Sequence, residues 1–149
     1  MAEYGYFRLD PEKSAHPDDD KINYQKILRA AYPLIKLVDD PYKQKTHTRE
    51  KFNKLVSNLT GNDLFVVYYL SHLSSNFFWA ASLIVRVLDS GANFRGICAE
   101  IDTTQMNPAA RQVFRDAMDA LSDVRPKHLT GHGPSIFDNG GDGGGNGGM

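Results

Sequence analysis

The chain has little cysteine: Cys98 is the only one, so no internal disulfide can form and nothing here calls for an oxidising compartment. It also lacks an excess of either charge. Lys and Arg total 17 against 18 Asp and Glu, a formal net charge of -1, which argues against a body coated in positive charge for wrapping nucleic acid but leaves room for a local basic patch. The first residues, Met1 to Lys13, hold no apolar core of the kind a secretory signal needs, so a cytoplasmic setting is expected. Gly143 to Gly145 are not followed by a helix or a Lys-Ser/Thr pair and make no phosphate loop. Of the five histidines, only His128 and His132 sit at metal-like spacing. Glycine and proline follow them and no Cys or acid stands close by, so neither a metal site nor a cofactor is expected.

The 149 residues allow one domain. Residues 1–19 are polar overall, with Pro11 and Pro17. Tyr4, Tyr6, Phe7 and Leu9 show no clean alternation, and the segment reads as an extended arm that orders on contact. Residues 127–149 are glycine-rich and read as a flexible tail. The body between them, 20–126, reads as a helical domain.

Asp18 to Asp20 place negative charge where a helix dipole favours it. Ile22, Ile27, Leu28, Ala31, Leu34, Ile35 and Val38 then keep a helical period, with a kink or break expected at Pro33 and a stop at Asp39-Asp40-Pro41. Thr48 caps a short helix whose buried face is Phe52, Leu55, Val56 and Leu59, with Gly61 as its stop. From Asn62 to Leu88 the series Val66, Leu70, Leu73, Phe77, Ala80, Ile84 and Val87 steps by four and three, which predicts one long buried helix, ended by Gly91 as its C′ residue. Leu64 to Val85 carries no formal charge, but Ser71, His72, Ser74, Ser75 and Asn76 fall at its middle, where a membrane span would suffer most, so no membrane partner is expected. Residues 91–102 fit either a strand or a short helix, and Phe94, Ile97 and Ile101 on one face favour the helix. Asn107 and Pro108 open a last helix with Val113, Phe114, Met118, Leu121 and Val124 as its apolar stripe. The expected fold is therefore all-α: a small bundle of four to five helices around a long central one.

Opposite the apolar stripe of that long helix run Tyr68, His72, Ser75, Trp79, Ser82 and Arg86. Aromatic area combined with polar tips is the mixture found at interfaces, with Trp79 and Arg86 as anchors. The leading expectation is a non-enzymatic protein-binding or assembly module, a homo-oligomer or a subunit of a larger complex, of the kind viral and mobile-element proteins use. The alternative is a nucleic-acid-binding subunit using the basic segment 43–54, where Lys43, Lys45, Arg49, Lys51 and Lys54 interleave with Tyr42 and Phe52. A third reading is a small enzyme with a site near Tyr68 and His72, completed by Cys98 or Asp102.

Overall fold

Four consecutive apolar side chains, Leu64 to Val67, can serve a strand only if both of its faces are covered. In the computed structural model, which describes residues 1–9, 16–40 and 49–124, they form strand β3 (Leu64–Val67), buried at every position. The all-α expectation is thereby corrected. A five-stranded sheet in the order β2-β1-β3-β4-β5 forms the centre. Strands β1 (Glu3–Phe7), β2 (Lys36–Asp39), β3 and β4 (Asn93–Gly96) are parallel neighbours, and the two-residue β5 (Ile101–Asp102) runs antiparallel to β4. Helices α1 (Pro17–Ala31), α2 (Glu50–Asn58), α3 (Phe77–Asp89) and α4 (Pro108–Asp123) connect or flank the strands.

The sheet divides the core in two. On one face Tyr6, Phe65, Val67 and Phe94 pack with residues of α2, α3 and α4; on the other Phe7, Leu64 and Val66 pack with Leu28 of α1 and with Ile35. Rings order the larger core: Tyr6 and Phe65 each meet Phe52 in an edge-to-face contact, at 5.5 and 5.7 Å between centroids.

The expected long helix is three elements: β3, a 3-10 turn over Leu70–His72, and α3 beginning at Phe77. Its apolar series kept phase because β3 is covered on both faces and α3 is apolar nearly all round, with Ala80, Ala81, Leu83, Ile84, Val85, Val87 and Leu88 all buried. Almost any period fits such a run. The true start of α3 carries a cap, Asn76, whose side chain accepts a hydrogen bond from the Trp79 backbone N–H at 3.1 Å. Nor does Asp63 begin a helix. Its carboxylate accepts from the backbone N–H groups of Thr60 (2.9 Å) and Ala2 (3.1 Å), which fastens the start of the chain to β3.

The extended-arm reading of residues 1–19 is likewise corrected, since residues 3–7 are β1, paired on both sides. Residues 91–102 hold β4 and β5 in place of the expected short helix. Helix α1 ends before Pro33; of its apolar series Leu28 is buried while Ile22 and Ile27 are exposed. The face predicted for α2 does pack inward, and Asn107 caps α4 through Ala110 N–H at 2.8 Å. Helix α4 clamps α3: Arg115 reaches both carboxylate oxygens of Asp89 at 2.9 Å, and Arg111 donates to the carbonyls of Leu88 and Ala92 that close α3. Thr48 and the glycine-rich segment 127–149 lie outside the described residues.

Gly91 follows α3 with φ 94°, as a C′ glycine does. A methyl group there would also stand 3.3 Å from Gly61 Cα, whereas one on Gly61 would come no closer than 3.9 Å to the Gly91 carbonyl. Gly91→Ala is expected to cost roughly 1–2 kcal/mol of stability in urea unfolding, and Gly61→Ala markedly less. Equal losses would show that the positive φ is not what Gly91 supplies.

Candidate functional site

A strand order of 2-1-3-4 makes the chain leave β1 toward one edge of the sheet and return to the other side of β1 as β3. In open α/β sheets ligands sit in the crevice that this reversal leaves at the carboxyl ends of the strands. Here it lies past Phe7 of β1 and Val67 of β3, so Arg8, Leu9, Tyr68 and Tyr69 stand at its mouth.

A buried polar knot builds the β1 side. Asp40, just past β2 and 2% exposed, donates its backbone N–H to the Phe7 carbonyl. Its carboxylate accepts from the Tyr6 hydroxyl at 2.8 Å and from Phe52 N–H at 3.1 Å. The second of these satisfies an orphan donor in the first turn of α2 and sets negative charge at that helix's positive end. Burial holds the Tyr6 phenol well above its ordinary range; Arg49 beside it pulls the other way and Asp40 reinforces the rise. Tyr6 therefore remains a donor. Arg49, at the cap position of α2, is within hydrogen-bonding reach of Tyr6. It is 7% exposed, and its Nη1 has no hydrogen-bond partner among the described residues.

Arg49 also lines a pocket of ≈ 170 Å³ with Asn53, Trp79, Leu83 and Arg86. Arg86 lies over the Phe52 ring at 5.1 Å and donates from Nη1 to Asn53 Oδ1 at 2.9 Å. Two guanidinium groups thus share a small cavity with no carboxylate among its described lining residues.

On the α1 side the crevice is aromatic. Tyr24 meets His72 at 4.6 Å, Tyr68 at 5.5 Å and Tyr69 at 5.9 Å. His72 is 5% exposed, its Nδ1 has no partner, and burial pushes its pKa down to about 4. The exposed thiol of Cys98 is the main cause of a rise in the Tyr68 phenol to about 12.

The residues singled out in the sequence are redistributed. Tyr68 follows β3, His72 is in the 3-10 turn, Ser75 is in the loop after it, and Trp79, Ser82 and Arg86 are on α3, so the six do not form one helical stripe. Ser82 donates its hydroxyl to the Trp79 carbonyl of its own helix. Trp79 and Arg86 do come together, in the pocket. Of the basic segment, Lys51 and Lys54 are exposed on α2 and Arg49 is buried; Lys43 and Lys45 lie outside the described residues. Tyr68 meets Cys98, but Asp102 is on β5 and accepts from Thr104 at 3.0 Å. Sequence reasoning missed Arg8, Tyr24 and Asp40; a strand assignment for 3–7 would have flagged Arg8, because the residue after a parallel strand faces the crevice mouth.

No protein-family model and no curated protein sequence matches the chain. Solved structures do. The N-terminal catalytic domain of TP901-1 integrase is 16% identical, aligned over 87% of this chain and 100% of its own, with a TM-score of 0.55. A resolvase family site-specific recombinase from Streptococcus pneumoniae is 17% identical over 93% and 98%, with a TM-score of 0.55. A serine recombinase from Sulfolobus solfataricus is 17% identical over 81% and 98%, with a TM-score of 0.51. The likeness is one of fold. It overturns the reading of a non-enzymatic protein-assembly module, whose premise was a helical bundle displaying one long striped helix: the chain has instead the fold of recombinase domains. No helix among the described residues is long and apolar enough to cross a membrane.

The depressed pKa of His72 makes stability depend on pH. Above pH 6.5 the imidazole is neutral in both states and stability is full. Below that value only the unfolded chain takes up the proton, so stability falls until about pH 4, where the folded form titrates as well. The total loss is roughly 3 kcal/mol. Urea unfolding at pH 7.5 and pH 5 should show a drop in the wild type that is smaller by roughly 2 kcal/mol in His72→Phe; parallel drops in both proteins would disprove the assignment.

Proposed function

We propose that the chain binds DNA at the carboxyl ends of β1 and β3, gripping backbone phosphate through Arg49 and Arg8. The observation that carries the reading is Arg49. A guanidinium buried to this degree with a nitrogen left unpaired is costly unless an anion completes it, and the crevice where it stands is where sheets of this order take their ligands. Arg8, half-buried directly after β1, adds a second cation to the same mouth. Lys51 and Lys54, exposed on α2, supply longer-range attraction of the sort that makes phosphate binding salt-dependent.

The fold supports the same reading. Its solved neighbours are named integrase, site-specific recombinase and serine recombinase. A net charge of -1 is compatible with this, since a local pair of cations can bind phosphate without a positively charged body. A mobile-element origin fits the same neighbours.

Duplex DNA should bind with an affinity that falls steeply between 50 and 200 mM salt. Arg49→Ala is expected to weaken binding roughly tenfold or more. Arg49→Lys, which keeps the charge and loses the planar fork, should recover only part of it. Lys51→Ala and Lys54→Ala should each lower the slope of log affinity against log salt by about one phosphate's share, with little effect on sequence preference. Fluorescence anisotropy with a labelled duplex measures all of these, and a chain that shows no salt-dependent binding would end the reading.

A further inference from the structure

Among the described residues two aromatic side chains are exposed, Tyr69 at 42% and Phe77 at 45%. Scattered apolar side chains on a surface need no explanation. These two are singled out by position. Tyr69 stands two residues past the end of β3 and Phe77 opens α3, so both belong to the connection that leaves the carboxyl end of β3. The remaining exposed large apolar residues are not aromatic and lie elsewhere in the chain. Tyr69, of the pair, is the one at the mouth of the crevice, and it is braced there. Its ring meets Tyr68 at 4.6 Å, His72 at 5.5 Å and Tyr24 at 5.9 Å between centroids, each in an edge contact. Little of its side-chain freedom is left to lose when a ligand arrives.

The chemistry of this cluster is not that of a phosphate site. Phenols and an imidazole kept neutral by burial bring no positive charge. They bring ring area next to the cations that hold phosphate. Strands β1 and β3 are paired neighbours, so their ends stand roughly 4.8 Å apart, a separation that one nucleotide covers. Cations that track a backbone, beside rings on which bases stack, are the means by which proteins hold unpaired strands. A paired base cannot use such a ring, because its faces are already stacked on its neighbours in the duplex.

We propose that Tyr69 stacks on an unpaired base of DNA whose backbone is bound at the crevice. The ligand class is DNA with at least one base out of the duplex stack: a single strand, a bulge or an opened junction. The proposal rests on the DNA-binding reading and adds to it a preference, and a residue, that backbone contact does not require.

Three ligands of one sequence separate stacking from backbone binding: a fully paired duplex, the same duplex with one bulged base, and one of its strands alone. They would be titrated with the full chain at fixed salt, read by fluorescence anisotropy. Tyr69→Leu, which keeps apolar bulk and loses the ring, should weaken the bulged duplex and the single strand roughly tenfold and leave the paired duplex within about twofold. Tyr69→Phe should behave as the wild type, and Arg49→Ala should weaken all three. A 2-aminopurine placed at the bulge gives a readout independent of affinity. Its fluorescence should be quenched by the wild-type chain and not by Tyr69→Leu. An equal loss for all three ligands in Tyr69→Leu, or displacement of the bulged duplex by a peptide rich in Leu and Phe, would overturn the proposal. So would the absence of quenching in the wild type, whether or not the variant folds. If the paired duplex binds with salt dependence while the bulged base is not quenched, this inference falls and the DNA-binding reading stands; if no DNA binds, both fall.

Discussion

The carboxylate of Asp40 is the constraint on which the rest of the site depends. It is buried, and a carboxylate in that position destabilises a fold unless its oxygens are satisfied. Tyr6 and the amino end of α2 satisfy it, and the Asp40 backbone N–H ties it to β1. Three elements are thereby locked: strand β1, the end of the edge strand β2, and the start of α2. Because Arg49 occupies the cap position of that helix, the knot also fixes the backbone position from which the buried guanidinium extends.

This arrangement gives the sheet two unlike flanks. On the α2 and α3 side the end of β1 is cationic, with Arg49 beside Tyr6 and the Arg86 guanidinium held by Phe52 and Asn53. On the α1 side the end of β3 is a cluster of phenols around a neutral imidazole, made neutral by burial. Cationic and aromatic side chains are thus separated by the thickness of one sheet.

Much of this was legible in the sequence where a helix has one wet face. The stripe Phe52, Leu55 and Leu59, the cap at Asn107 and the C′ glycine at position 91 were all readable, because amphipathic helices and their ends carry local signals. The sheet was not. Strand β3 is covered on both faces and so shows no alternation, and α3 is apolar on most of its circumference, so the two merged into one apparent helix. Asn76 marked the real boundary, but a polar residue within an apolar series is a weak sign against a period that runs straight through it. Strand β1 was mistaken for an arm because its pairing partners lie tens of residues away, in β2 and β3. Trp79 and Arg86 were singled out for sharing a helix face, and they do meet; that Arg49 joins them depended on the Asp40 knot, which is tertiary.

The burial of more than half of α3 has a consequence for how this domain can change over generations. Seven of its thirteen residues face the core, where substitutions of volume are felt at once. Arg86 is exposed and Trp79 and Ser82 are half-buried, and Trp79 and Arg86 line the pocket. Substitution on this helix is therefore channelled toward the pocket wall, whose side chains can change while the packing beneath holds the scaffold.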